Sequence, residues 1–389
     1  MEKGIETSNF KLGIITGGQL GKMLIQEASK WAIDTAVLDN DEECPARAIA
    51  THYVKGSHLD FDAVYQFGKT VDLLTFEIES INVEALKKLK SEGVNIQPDP
   101  YILELIQDKG LQKQFYSQNS IPTSDYTLYE TDTAIQEAIQ KGELHFPFVQ
   151  KLRKGGYDGR GVAVVNGPDD LNKILPGASL VEHKVEIFKE ISVIVARNKD
   201  GQVMCYPVVE MVFDHKANLV DKLVCPSTIT DEQSEKALRI ASEIITLMDM
   251  QGLLAVEFFI DSKGEVLVNE MAPRTHNSGH HSIESIVTSQ FEQHLRAILN
   301  LPLGSTQQMM PAVMVNVLGA EGYEGPVLYE GIRECMAIDG VNIHLYVKKI
   351  TKPYRKMGHV TIVSDTIERA LEKAEIVQKL ICVKSWKKN

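Results

Sequence analysis

Residues 253–271 read LLAVEFFIDSKGEVLVNEM. Two runs of branched and aromatic apolar residues flank Ser262-Lys263-Gly264, the pattern of a β-hairpin. Each run carries a carboxylate in otherwise apolar company: Glu257 on the first strand and Glu270 on the second, with Asn269 beside it. With the turn near Lys263, Glu257 falls opposite the region of Asn269 and Glu270, so the carboxylates meet at one end of the hairpin. Unpaired charges in such strands are costly to bury. Taken singly, each glutamate is explained by a lysine or arginine partner or by water. Taken together, two hard oxygen donors suit magnesium, or manganese in its place, with phosphate oxygens completing the shell.

The hairpin runs into APRTHNSGHHS, residues 272–282. Arg274 can fork onto a phosphate, and Asn277, Ser278, His276, His280 and His281 add donors. Zinc is disfavoured: there is no H-E-x-x-H spacing, and glutamates are harder ligands than zinc prefers. Upstream, residues 149–161 read VQKLRKGGYDGRG. Lys151 follows an apolar strand expected over Phe146 to Val149. Gly155, Gly156, Gly159 and Gly161 permit close approach of backbone to a ligand. Lys154 and Arg160 add positive charge, and Tyr157 and Asp158 offer substrate contacts. Such a loop suits a lid over a triphosphate; a solvated turn is the less favoured alternative when it is read alone. It is not GxxxxGK[ST], and no helix follows it. Residues 180–196, LVEHKVEIFKEISVIVA, supply an edge at Glu182 for an adenine and a carboxylate, Glu190, for ribose hydroxyls. Alone they read as ordinary strands.

The first hundred residues alternate strand and helix signals, which implies βαβ units and a parallel sheet. Strands are expected at Lys11–Thr16, Thr35–Leu38 and Val71–Phe76, and helices at Lys22–Lys30 and Val83–Ser91. Between the first strand and helix stands a glycine turn, Gly17-Gly18-Gln19-Leu20-Gly21. Its amides can hold a phosphate, and Asp39 follows about 20 residues on, as in dinucleotide sites. The glycines Gly13, Gly17, Gly18 and Gly21 miss the G-x-G-x-x-G spacing, so a nicotinamide oxidoreductase rests on this turn alone. A helix is expected over Tyr101–Gln118, another from Asp231, as cap, to Met250, and others over Ser285–Leu299 and Ile367–Ile381. Near the C-terminus, residues 344–360 read HLYVKKITKPYRKMGHV. Charge runs are usually solvated, yet five basic residues, Lys348, Lys349, Lys352, Arg355 and Lys356, can hold an anionic substrate.

The chain has 389 residues and a net charge of −12. Its length implies two or three domains, and its acidity argues against nucleic-acid or membrane-surface partners. The five cysteines, Cys44, Cys205, Cys225, Cys335 and Cys382, form no C-x-x-C pair. They fit reduced thiols in the cytoplasm. The first residues lack the apolar run of a signal peptide, and no stretch is long enough for a membrane span.

Together these segments resemble the ATP-grasp superfamily and, within it, the 5-(carboxyamino)imidazole ribonucleotide synthetases of purine biosynthesis. The resemblance is carried by GGQLGKM, TFEIESI, QDKGLQK, KLRKGGYDGRG, KEISVIVAR, VEFFI with VLVNEMAPRTHNSGHH, and YRKMGHV, spanning nearly the whole chain. It implies an N-terminal parallel-sheet, Rossmann-like domain (1–105), an ATP-grasp domain (106–304) and a small strand-rich C-terminal domain (305–389). It implies an ATP-dependent ligase that carboxylates 5-aminoimidazole ribonucleotide with bicarbonate, and a homodimer. It implies ATP contacts by Lys109, Lys151, Gly156, Gly159, Glu182, Val185, Glu190, Asn269 and Glu270, with Glu257 and Glu270 on magnesium. Tyr157, Asp158, Arg160, Arg274, Lys348 and Arg355 would meet the reacting groups. Gly18, Gln19, Leu20, Glu77 or Glu79, and Lys356 would hold the ribonucleotide. Thr16 stands where the family often carries glycine, Val347 where it carries glycine or an acid, Thr275 where it carries proline, and Lys352 where it carries arginine. A sister enzyme that formylates glycinamide ribonucleotide shares the ATP half, but YDGRG and RKMGH speak against it. A binding protein without catalysis need not keep Lys151, Glu257 and Glu270 together.

Overall fold

The computed structural model describes residues 5–7, 9–156, 161–214 and 219–386. Tyr157, Asp158, Gly159 and Arg160 therefore lie outside the described residues.

The N-terminal sheet has five parallel strands, in the order His52–Lys55, Asp34–Asp39, Lys11–Ile15, Leu73–Phe76 and Asn95–Ile96. The three central strands are buried apolar runs, as parallel strands covered on both faces must be. Ile15, Leu38, Leu74 and Phe76 pack one face against the helices Phe61–Gly68 and Val83–Ser91. Leu12, Ile14 and Val37 pack the other against Gln19–Ser29 and against Phe291 and Leu295 of the helix Gln290–Ile298. A helix of the central region thus closes the N-terminal sheet. The strand His52–Lys55 escaped the sequence reading because it is a largely exposed edge with no apolar pattern.

A smaller lobe is a four-stranded antiparallel sheet, Tyr126–Tyr129, Ser179–His183, Phe148–Leu152 and Val162–Val165. Against it stands a nine-stranded sheet. It runs from Val266–Ala272 through Gly252–Asp261, Ile187–Arg197, Val209–Asp214 and Leu219–Cys225. It then continues into Ala312–Leu318, Lys356–Val363 and Val341–Leu345, with Val203–Cys205 on Ile187–Arg197. The C-terminal strands join through Lys222↔Val315 to Cys225↔Ala312, so one sheet continues across the two regions on either side of 304/305.

The first helix, Gln19–Ser29, starts three residues before the expected Lys22, and three other helices differ further. Tyr101–Gln118 is two helices, Pro100–Gln107 and Lys109–Gln118, because the Asp108 carboxylate accepts from the Gly110 and Leu111 amides and starts the second one. The helix Asp231–Leu247 is capped by Thr230, not Asp231: the Thr230 hydroxyl and the Gln233 side chain satisfy each other's backbone amides, the reciprocal capping box. Ser285–Leu299 is a short turn, Ser282–Ser285, followed by Gln290–Ile298, which starts at the Ser289 cap.

Candidate active site

The hairpin Gly252–Asp261/Val266–Ala272 forms the edge of the large sheet. Glu257 pairs directly with Glu270, and the register then shifts so that Phe258 pairs with Val268. Asn269 is the extra residue of this bulge, a feature that re-aims side chains. Glu270 receives the Lys109 ammonium, and Asn269 Oδ1 accepts from Lys151 Nζ at 2.9 Å. Burial, reinforced by the charge of Glu270, pushes Glu257 up to about 8. The Lys109 ammonium holds Glu270 below the usual glutamate value. Among the described residues no group of three or more His, Cys, Asp and Glu is placed to hold a metal. Two opposed carboxylates, one kept from ionising by burial and by the charge of the other, nevertheless fit a divalent cation that takes its remaining ligands from phosphate oxygens.

Lys151 sits within the strand Phe148–Leu152, one turn of pleat later than the apolar run suggested. Its ammonium also meets Glu182 Oε2 at 2.7 Å, while Lys113 meets Glu182 Oε1 at 2.5 Å. Burial would raise the Glu182 carboxyl, but the two lysines outweigh it and hold it at about 2. Lys109, Gln112, Lys113, Lys151, Asn269 and Glu270 line one small cavity between the sheets. Glu190 stands on the neighbouring strand Ile187–Arg197, and burial pushes it up to about 7 despite Lys151. Val185 lies between the strands Ser179–His183 and Ile187–Arg197, at the lobe edge. At the root of the glycine loop before Gly156, Arg153 forks onto Asp108 with two bonds of 2.9 Å. The Lys109 amide donates to the Arg153 carbonyl at 2.9 Å. The loop is thereby anchored to the helix that carries Lys109.

The glycine turn is occupied from within. Glu77 accepts from the amides of Gly18 and Gly21 and, at 3.1 Å, from the Thr16 hydroxyl. Burial pushes Glu77 up to about 7 against these donors. Asp39 accepts from the Gly17 amide at 2.7 Å and the Asp41 amide at 2.8 Å. The acid that would bind a dinucleotide ribose is thus part of the turn itself. Gln19 and Leu20 open the helix Gln19–Ser29, and neither amide is among those that Glu77 takes.

From the hairpin side Arg274 reaches Glu79 Oε1 at 2.7 Å, joining the central region to the N-terminal sheet. His276 Nε2 lies 3.4 Å from Glu257 Oε1. Its Nδ1 accepts the Ser278 amide at 3.3 Å. Burial, with Arg274 and Lys356 nearby, pushes His276 well below the usual histidine value. Lys356 begins the strand Lys356–Val363, and Lys348 Nζ donates to its carbonyl at 2.8 Å. Arg355 points the other way along the chain: its guanidinium donates to the Ile350 carbonyl at 2.6 Å, and its charge acts on Tyr329.

Residues 10–107 match the ribonucleotide synthetase preATP-grasp domain, 114–291 the ATP-grasp domain, and 312–373 the phosphoribosylaminoimidazole carboxylase C-terminal domain. An N5-carboxyaminoimidazole ribonucleotide synthase of Staphylococcus aureus is 35% identical over 363 residues, 92% of this chain and 94% of that one. The chain belongs to the N5-carboxyaminoimidazole ribonucleotide synthase family of ATP-grasp ligases. The synthetase structure from Thermotoga maritima superposes with a TM-score of 0.89 at 44% identity, covering 97% of this chain and 99% of that one. The Aspergillus clavatus synthase in complex with ADP and 5-aminoimidazole ribonucleotide gives 0.86 at 32% identity, over 96% and 99%. Plant and yeast phosphoribosylaminoimidazole carboxylases also match, and the chain spans 64–67% of their length.

Two residues gain weight from their contacts with Glu182 and Glu257 that the sequence alone did not give them. Lys113 stands four residues after Lys109, a spacing that puts both lysines on one helix face. That i, i+4 pair in QDKGLQK was the available signal. His276 was one donor among several in its loop, and nothing in the loop's sequence singled it out as the histidine beside Glu257.

Proposed function

We propose that this chain converts 5-aminoimidazole ribonucleotide, bicarbonate and ATP into the N-carboxylated ribonucleotide, ADP and phosphate. The observation that carries the reading is the opposed Glu257–Glu270 pair, with Lys109 and Lys151 on one side and Arg274, His276 and Lys356 on the other. A bicarbonate oxygen attacks the γ-phosphorus, the bond to ADP breaks, and carboxyphosphate forms. Its carboxyl group passes to the substrate amine, directly or as carbon dioxide. A C–N bond forms, phosphate leaves with the electron pair of the broken C–O bond, and the amine gives up a proton.

Lys151 and Lys109 are suited to hold the nucleotide phosphates, and Glu190 to accept ribose hydroxyls. Glu257 and Glu270 would hold magnesium, which when bound neutralises phosphate charge in the transition state. Arg274 and the neutral His276 supply donors to the developing carboxyphosphate. The Gln19–Leu20 turn, with Lys348 and Lys356, supplies charge and amides for the ribonucleotide phosphate. Tyr157, Asp158 and Arg160 are assigned to the acceptor by resemblance alone. The enzyme is proposed to act as a cytoplasmic homodimer; among the described residues no helix is long and apolar enough to cross a membrane.

The test is ADP release with magnesium-ATP and bicarbonate, with and without aminoimidazole ribonucleotide. Strong stimulation by the ribonucleotide, lost in Glu270→Ala, is expected. ATP binding without stimulation would overturn the substrate assignment.

A further inference from the structure

Lys113 has 1% of its surface exposed, on a helix whose other lysine, Lys109, faces the metal hairpin. Its ammonium is fixed on four sides. It meets Glu182 Oε1 at 2.5 Å, donates to Ser124 Oγ at 2.9 Å and to Thr123 Oγ1, and lies 3.5 Å from the Ser124 carbonyl. The Ser124 hydroxyl donates to the same Glu182 oxygen at 2.5 Å. Thr123 in turn donates to the Val268 carbonyl at 2.7 Å, on the hairpin strand that carries Asn269 and Glu270. One buried ammonium therefore ties the four-stranded lobe to the metal hairpin.

The second lysine on Glu182 is held differently. Lys151 shares its ammonium between Glu182 Oε2 and the neutral Asn269 side chain. Both are contacts that phosphate oxygens can replace. If Lys151 were the only partner of Glu182, its departure would strand a carboxylate that is 4% exposed. A buried charge that loses its partner is strongly unfavourable, so Lys151 would stay where it is.

We propose that Lys113 is a positioning residue: it keeps Glu182 paired, and so leaves Lys151 free to move onto the nucleotide phosphates. This rests on Lys151 being a phosphate lysine, and on nothing about the carboxyl acceptor. Lys113 has no such freedom itself, because its remaining partners are the Thr123 hydroxyl, the buried Ser124 hydroxyl and a carbonyl.

The probe is tripolyphosphate, which carries the phosphates without the base, with its dissociation constant read by calorimetry. Lys113→Met removes the second ammonium at nearly constant side-chain length. It is expected to weaken tripolyphosphate and to raise the KM for ATP by about 10-fold or more, with kcat at saturating ATP within about threefold. Adding Glu182→Gln removes the carboxylate that traps Lys151. The double variant is expected to regain tripolyphosphate affinity to within about threefold of the unmodified protein. A Lys113 that only supports the fold gives a double variant as weak as the single one, and that result overturns the proposal. If Lys113→Met does not fold, the double variant alone decides, since it must fold and bind tripolyphosphate normally. Lys151→Ala tests the underlying reading separately: undiminished tripolyphosphate binding there would reject Lys151 as a phosphate lysine, whatever Lys113 does.

Discussion

Glu257 and Glu270 face each other across a hairpin at the point where its register shifts by one residue. The bulge lets Asn269 and Glu270 both serve the cleft, Asn269 through Lys151 and Glu270 through Lys109. Without nucleotide or metal the arrangement is unfavourable, because burial and Glu270 push Glu257 up to about 8.

That cost predicts opposite effects on stability and activity. Glu257→Gln keeps the size and removes a carboxyl whose ionisation burial and Glu270 oppose, so the nucleotide-free protein should melt at a higher temperature. The same change removes the hard anionic ligand proposed for magnesium, so the magnesium concentration for half-maximal ADP release should rise by at least about 10-fold. Chelation of divalent metal should abolish ADP release in the unmodified enzyme. Thermal melts and a magnesium titration read both; an unchanged magnesium requirement would remove Glu257 from the metal site.

Glu182 makes a pH prediction. Its carboxyl is held at about 2 against an ordinary value of 4.5, because Lys151 and Lys113 outweigh its burial. A depressed carboxyl contributes stability that is present above about pH 4.5 and is lost as pH falls toward 2. The contribution is on the order of 3 kcal/mol. Glu182→Gln should therefore lower stability by roughly that amount at pH 7 and progressively less toward pH 3. Denaturant unfolding at several pH values measures it. A gap that stays constant across this window would mean that the carboxyl is not depressed in the folded state.

Two β-branched residues stand in strained backbone. Thr16 and Val347 stand at φ 67° and 59°, a left-handed region that β-branched residues avoid. Val347 is 51% exposed, so its side chain contributes little packing there. Val347→Gly should stabilise the fold by about 1 kcal/mol, the relief of left-handed strain less the extra freedom of glycine in the unfolded chain. Thr16→Gly should gain less, because it also deletes the hydroxyl bond to Glu77. Equal gains at the two sites would show that this bond contributes nothing.

Legibility in the sequence followed burial. The hairpin was readable because its apolar alternation is strong and its carboxylates interrupt it; only the bulge, which depends on backbone geometry, was hidden. The parallel sheet was readable in its buried strands and not in His52–Lys55, whose exposed residues carry no periodicity. The split at Asp108 was missed because a cap inside a helical pattern looks like any polar helix residue until its carboxylate is seen on the Gly110 and Leu111 amides. Arg355 and Lys356 adjoin in one basic run, but they make separate contacts: Arg355 on the Ile350 carbonyl, and Lys356 near enough to act on Glu257 and His276. Charge composition alone gives no such division.

The glycine turn supports a last prediction. The Glu77 carboxylate occupies the amides of Gly18 and Gly21, so a phosphate at this turn is left with Gln19, Leu20 and whatever Glu77 yields. A Cβ on Gly18 would strike Glu77 Oε1 and crowd its Oε2 at 3.2 Å. Glu77 is 4% exposed and has little room to retreat. Gly18→Ala should therefore drive the carboxylate off the turn and disturb the Gln19 and Leu20 amides behind it. The KM for aminoimidazole ribonucleotide is expected to rise by about 10-fold or more. The affinity for ADP, for which the separate cleft around Lys151 and Glu182 is proposed, should change by less than about twofold. Loss of both affinities together would point to a general collapse of the N-terminal sheet, and loss of neither would take the ribonucleotide phosphate away from this turn.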